Sequence, residues 1–269
     1  MTCWTYPWDV ARLGADAVLG DLGDQGFAGV DLAATYHPIS VLSPRGPHLA
    51  GFFSPSGAVH FPARVERYGR IKPHVWGDAT VTGAWTAAAG LIDGYGLELN
   101  AWTIGLFQPW MAQQHPHVAR TYATGERVDA GVCPSNDDMR EYLATLAADM
   151  ADQFPINLVK LEGVHTPAFD YGWIRRRVYF TLPPLQQRLL RVCFCDGCVR
   201  AGRAKGIDVD GLRTRVVTAL AIDAGVDDSA IVEDEAFVSY SSVADESAAA
   251  LVSDVAAALR SVKIGRAHV

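Results

Sequence analysis

Three cysteines fall within six residues, Cys193-Phe194-Cys195-Asp196-Gly197-Cys198, and this stretch constrains the chain more than any other. A C-x-x-C pair can place both sulfurs on one cation through a tight turn, which Gly197 would ease, and the C-x-C step adds a third from the other side. Cys133, just ahead of an expected helix, supplies a fourth thiolate, enough to close a tetrahedral zinc site. Four thiolates leave no open coordination position, so such a zinc would be structural and would tie the loop at 133 to the turn at 193–198. A degenerate remnant of a zinc site, a redox C-x-x-C and unrelated buried cysteines are the alternatives. Cys3 is expected to be a small core residue of the first strand.

The rest of the composition narrows the class. Apolar residues make up 49% and charged residues 20% of 269 positions, an ordinary globular balance. A net charge of −7 argues against a nucleic-acid surface, which is normally basic. No apolar run reaches the 18 residues that a membrane helix needs. Met1 to Trp8 carries no basic segment followed by an apolar one, so no secretory signal is expected. An odd number of cysteines, crowded together, suits metal or thiol chemistry in a reducing cytoplasm better than a disulfide framework.

The chain opens strand–helix–strand: residues 1–8, a helix capped by Asp9 and running towards Gly26, then Gly29 to Tyr36. Residues 38–73 are rich in Pro, Gly, Ser and His and predict a long irregular loop, with His37, His48, His60 and His74 in or beside it as solvated or satisfied loop histidines. An alanine-rich helix spans Ala79 to Tyr95, and Leu97 to Leu106 is a third strand. Residues 111–132 predict another loop. Cys133-Pro134-Ser135-Asn136 then opens a helix with early acids and apolar Leu143, Leu146 and Met150 at helical spacing. Ile156 to Gly163 is the fourth strand. A helix from Leu185 to the cysteines, one from Gly211 to Ala224 and an amphipathic helix from Ser247 to Val262 follow. Four strands separated by helices, with no G-x-G-x-x-G after the first, favour an α/β chain holding the N-terminal half to two-thirds of a (β/α)8 TIM-type barrel over a dinucleotide-binding sheet. The expected domain is 1–262. Residues 263–269, Lys-Ile-Gly-Arg-Ala-His-Val, resemble an in-frame translation of a sequencing adapter and are expected to be a non-native tail on a truncated chain.

The order Cys133-Pro134-Ser135-Asn136 with Arg140-Glu141-Tyr142, a strand ending in Leu161-Glu162, and Cys193-x-Cys195-x-x-Cys198 resembles the β-galactosidases of glycoside hydrolase family 42 and uncharacterised glycosidase-like barrels related to them. The resemblance covers about residues 90–210. It implies a (β/α)8 barrel, a zinc held by Cys133, Cys193, Cys195 and Cys198, and a carbohydrate substrate. It places the general acid/base at Glu162, directly after Leu161 where the family has an asparagine that contacts the sugar 2-hydroxyl. A retaining mechanism needs a second carboxylate about 5–5.5 Å from the first, expected from a later strand beyond this chain. Glu162 as a buried strand-end acid held by an arginine is the alternative, as is a catalytically inactive carbohydrate-binding or structural barrel. Trp8, Trp102 and Trp173, with His165, are the candidate substrate contacts, since aromatic faces near strand ends can stack on sugar rings. Core packing is the other use of such side chains. The run Arg175 to Arg177 could bind an anion or be a solvated loop. Self-association is left open.

Overall fold

The computed structural model describes residues 1–44, 49–165, 182–221 and 229–262. His48, Trp173, the arginine run and the 263–269 tail lie outside the described residues. In chain order the elements are β1 (Thr2–Thr5), α1 (Pro7–Leu13), α2 (Ala15–Asp24), β2 (Gly29–Ala33), β3 (Thr35–Tyr36), β4 (Ile39–Ser43), β5 (Ala50–Ser54), β6 (Ala58–Val59), α3 (Ala79–Leu91) and β7 (Glu98–Ile104). They continue with α4 (Pro109–Gln114), β8 (Ala119–Thr121), β9 (Arg127–Val132), α5 (Asp137–Gln153), β10 (Leu158–Glu162), α6 (Pro184–Arg191), α7 (Asp196–Ala204), α8 (Val209–Ala219) and α9 (Glu235–Ser261). The chain forms two compact units, one of residues 1–105, 141–162 and 252 onward, the other of 106–140 and 163–251.

In the first unit β1, β2, β7 and β10 form one parallel sheet in that order. Each new parallel strand is added beside the last, without the reversal of order that marks a doubly wound sheet. The expected α/β class and its four strands are therefore present. Among the described residues the sheet is open, and no closed barrel is formed. Register sets what each face carries. Trp4 lies beside Asp31, Asp31 beside Asn100, and Trp102 beside Lys160, so alternation puts Thr2, Trp4, Asp31, Asn100, Trp102, Lys160 and Glu162 on one face. The other face carries Val30, Leu32, Leu99, Ala101 and Val159, all buried, as strands covered by helices require. Trp85 of α3 is fully buried and donates its indole N–H to the Ala33 carbonyl at 3.1 Å, fastening that helix to β2.

The polar face holds an ion pair between buried Asp31 and partly exposed Lys160. Asp31 is 0% exposed and accepts from Lys160 Nζ at 2.6 Å, Thr2 Oγ1 at 2.8 Å and Asn100 Nδ2 at 2.9 Å. One carboxylate thus joins all four strands of the sheet.

The stretch 38–73, expected to be irregular, departs from that reading. It contains the antiparallel hairpin of β4 and β5, and β6 returns to pair with β3. Its remaining part is held by side chains rather than by a ladder. Buried Asp149 on α5 accepts from Arg64 Nε at 2.6 Å, from the Arg64 backbone N–H at 2.9 Å and from Tyr68 at 3.3 Å. His60 also departs from expectation: its ring is buried, and among the described residues neither ring nitrogen has a hydrogen-bond partner. Trp8, Phe52 and Trp76 surround it at centroid distances of 5.3, 6.1 and 5.9 Å. Burial pushes its pKa down to about 3, because the charged ring would lose its hydration there.

In the second unit, 111–132 is likewise more ordered than expected, with most of α4 and a β8–β9 hairpin. Helix α9 begins at Glu235, well before the expected Ser247. Its early turns are poor in strong helix formers, but Phe237, Tyr240 and Val243 recur at helical spacing and are buried beside Phe194 and the cysteines, so packing overrides propensity. No helix among the described residues is long and apolar enough to cross a membrane.

Candidate metal centre and candidate active site

The cysteine cluster assembles in the second unit from two short segments. Cys133 follows β9, and its N–H bonds the Val118 carbonyl at 2.8 Å. Asn136 then caps α5, accepting from the N–H groups of Asp138 at 3.0 Å and Met139 at 3.3 Å. On the other side, Phe194 N–H bonds the Thr121 carbonyl at 2.7 Å, which pins the cysteine segment against β8. Cys195 is the N-cap of α7 and Cys198 lies in its first turn. Gly197 has a different reason from the expected turn. It is helical, and a Cβ there would sit 2.3 Å from the Ser135 carbonyl oxygen, so only glycine lets the two cysteine segments close.

All four cysteines are buried and free of disulfides, and their sulfurs lie within 4.8 Å of one another. Cys133 and Cys198 sulfurs are 3.5 Å apart. Four sulfurs about 2.3 Å from a tetrahedral ion would be about 3.8 Å apart, so the set has the spacing of a metal site. A local group favours negative sulfur at Cys193: Thr121 N–H points at its Sγ at 3.5 Å. Mutual hydrogen bonding divides the protons unequally. Bonds from Cys133, then Cys195 and Cys198, hold Cys193 well below the usual thiol range, while Cys133 and Cys198 are pushed up, first by their bonds to Cys193 and Cys133 respectively. Without a cation four such neighbours cannot all ionise; a divalent ion removes that conflict. The four residues singled out by spacing are therefore one constellation that could hold a metal ion. Cys3 is separate and only half-buried, not a core residue.

The first unit carries a second constellation, at the C-terminal ends of its strands. Glu162 is the last residue of β10 and half-exposed. Its carboxylate accepts from Trp102 Nε1 at 2.6 Å. No arginine is among its hydrogen-bond or ion-pair partners in the described residues. Trp102 is 2% exposed and packs against Trp4 at 4.4 Å, Tyr36 at 4.9 Å and Tyr6 at 5.4 Å. Tyr6 and Tyr36 hydroxyls are 3.1 Å apart. Trp4 is 59% exposed, unusual for an indole on a sheet face.

The predicted contacts divide accordingly. Trp102 joins Glu162 directly. Trp8 is buried, its ring stacked on Tyr6 at 4.4 Å and Phe52 at 3.9 Å. It borders a cleft of about 220 Å³ with Asp9, Arg12, Ser43 and Asp78, and Glu162 does not line that cleft. His165 is exposed in the segment after β10. Trp4, Tyr6 and Tyr36 were not singled out as contacts from the sequence. The available signal was the alternation of Thr2, Trp4 and Tyr6, which sets aromatic side chains on the Glu162 face only once the strand register is known.

No known family profile matches the chain, and no curated protein matches it. Solved structures do. The α-L-fucosidase isoenzyme 2 of Paenibacillus thiaminolyticus aligns with a TM-score of 0.52 and 11% identity, over 96% of this chain and 29% of that one. The β-galactosidase of the psychrophilic Marinomonas ef1 aligns with a TM-score of 0.53 and 12% identity, over 98% of this chain and 36% of that one. The chain thus spans about a third of the length of these neighbours. At this identity the likeness concerns architecture alone: the chain has a glycosidase-like α/β fold.

Proposed function

We propose that the chain is the N-terminal part of a (β/α)8 glycoside hydrolase related to family 42, with Glu162 as its general acid and then base. The observation that carries this reading is the placement of Glu162 at the end of a parallel strand, on the same face as exposed Trp4 and hydrogen-bonded to Trp102. Active sites of β/α barrels lie at that end of the strands. In this reading Trp102 fixes the carboxyl orientation, Trp4 offers a face to a sugar ring, and Glu162 protonates the departing glycosidic oxygen. Trp8 contributes by holding Tyr6 in place, and Trp173 and His165 are retained as sugar contacts. The second carboxylate, about 5–5.5 Å away for retention, is assigned to sequence beyond this chain.

The cysteine set is assigned a structural zinc. All four donors are thiolates, a soft set that zinc accepts as a closed tetrahedron. The ion supplies no step of the reaction; Cys133, Cys193, Cys195 and Cys198 would use it to join their two segments. Free cysteines and the net negative charge support a cytoplasmic protein that acts on carbohydrate rather than on nucleic acid.

A non-catalytic carbohydrate-binding barrel is the second reading. It is favoured by Leu161, which stands where the related family has its sugar-contacting asparagine. The two separate in a nitrophenyl-glycoside assay on the chain extended by the remainder of its gene. The hydrolase reading requires turnover that falls about 10²–10⁴-fold in Glu162→Gln. Saccharide binding without turnover in both proteins supports the binding module instead.

A further inference from the structure

A cleft of about 350 Å³ in the second unit lies between α6 and the early turns of α9, with Arg188, Arg191, Phe237, Val238, Tyr240 and Asp245 in its lining. The glycosidase reading gives this cleft no role. Small-molecule clefts begin at about 300 Å³ and combine apolar walls with a few polar groups. Arg188 and Arg191 are both exposed and stand three residues apart in α6, so they project from the same face of it. Among the described residues neither guanidinium has a hydrogen-bond or ion-pair partner. The hydroxyls of the lining, by contrast, are committed. Ser241 donates to the Val238 carbonyl at 2.8 Å, Ser242 to the Ser239 carbonyl at 2.9 Å, and Tyr240 to the Cys193 carbonyl at 3.0 Å. The side-chain donors that the described lining leaves for a ligand are therefore the two guanidiniums.

We propose that this cleft binds a small organic acid: a carboxylate or phosphate group on an uncharged, apolar body. Arg188 and Arg191 take the anion, since the planar guanidinium fork matches both carboxylate and phosphate oxygens. Phe237 and Tyr240, 3% and 1% exposed, form the apolar floor, and Val238, 52% exposed, gives it an open rim. The body of the ligand leaves water against these side chains. Asp245 sets a limit from the same lining: a second negative charge on the ligand would meet its carboxylate, so the charge belongs at one end only. A neutral sugar would leave both guanidinium charges unanswered, which separates this cleft from the Glu162 face. A basic last turn also suits the dipole of α6, but that role needs neither a cleft nor a ligand.

The proposal does not depend on the glycosidase reading, and its test uses no activity assay. Calorimetric titration of the full chain at physiological salt compares phenyl phosphate and benzoate with inorganic phosphate and with phenol. Phenyl phosphate and benzoate should each bind one per chain, at least tenfold tighter than inorganic phosphate or phenol, because each control lacks one half of the match. Arg188→Gln combined with Arg191→Gln should weaken both acids about tenfold or more at an unchanged circular dichroism spectrum. Val238→Asp, a change at an exposed rim position on the other helix, should do the same by bringing a like charge to the cleft. Both variants alter exposed side chains and should fold. No binding of either acid, equal affinity for inorganic phosphate and phenyl phosphate, or affinities that survive the double arginine change would each overturn the proposal. A double variant that loses thermal stability but keeps its affinities would assign the arginines to the helix dipole instead.

Discussion

The cysteine cluster and the Glu162 constellation are built on opposite plans. The first gathers four like groups from two distant segments and buries all of them. The second places one half-exposed carboxylate on a sheet face, where an indole N–H holds it and a tryptophan of the same face is open to solvent. A closed set of ligands can only brace; a half-exposed acid can exchange a proton with something that arrives. In the proposed function the cysteines are the scaffold and the Glu162 end of the sheet is the place for chemistry.

The largest effect that would break this contrast is on the scaffold side. Chelation of the metal should unfold the second unit, because structural zinc can supply on the order of 10 kcal/mol to a small domain. Circular dichroism and thermal melting before and after chelator measure this, and an unchanged melt would mean the cysteines are not a brace.

Within the first unit the account depends on Asp31 joining four strands. Asp31→Ala should cost about 1–3 kcal/mol, since it strips partly exposed Lys160 and buried Asn100 of their shared acceptor; urea denaturation reads it. Asp31→Ala combined with Lys160→Met should recover much of the loss.

Acid offers a third test, through His60. Its folded pKa lies near 3, below the ordinary value of 6.5. The neutral ring therefore contributes stability that is fully present above pH 6.5 and is lost as pH falls towards 3, by about 1.4 kcal/mol per unit. His60→Phe should flatten that slope, and a slope unchanged by the substitution would place the acid sensitivity elsewhere.

Gly197→Ala should be milder, about 1–3 kcal/mol from overpacking against Ser135, and should weaken metal retention along with stability. Smallest in stability is Trp4→Ala, within about 0.5 kcal/mol for so exposed a residue. Its saccharide affinity, read by fluorescence titration, should nonetheless fall about tenfold, which sharpens the claim that the open face is for binding.

Much of this was legible from residues alone. The cysteine spacing selected one physical cluster because metal ligation leaves a short-range pattern. Glu162 could be placed because an apolar strand ends at it. What escaped depends on pairing between distant segments. The β4–β5 hairpin lies in a stretch whose Pro, Gly and Ser content resembles a loop, and its order comes partly from Arg64 meeting Asp149. Gly197 looked like a turn residue because nothing local announces the Ser135 carbonyl beside it. Trp4 and Tyr36 became partners of Trp102 only through strand register, and the start of α9 only through burial of Phe237 and Tyr240.

The most direct test of the division between brace and chemistry is zinc K-edge absorption on the purified chain, paired with metal analysis of Cys198→Ser. The account predicts one zinc per chain with four sulfurs at about 2.3 Å, lost on substitution. A nitrogen, oxygen or water ligand on the ion would open a coordination position and contradict it, as would a Cys198→Ser protein that keeps its full metal content.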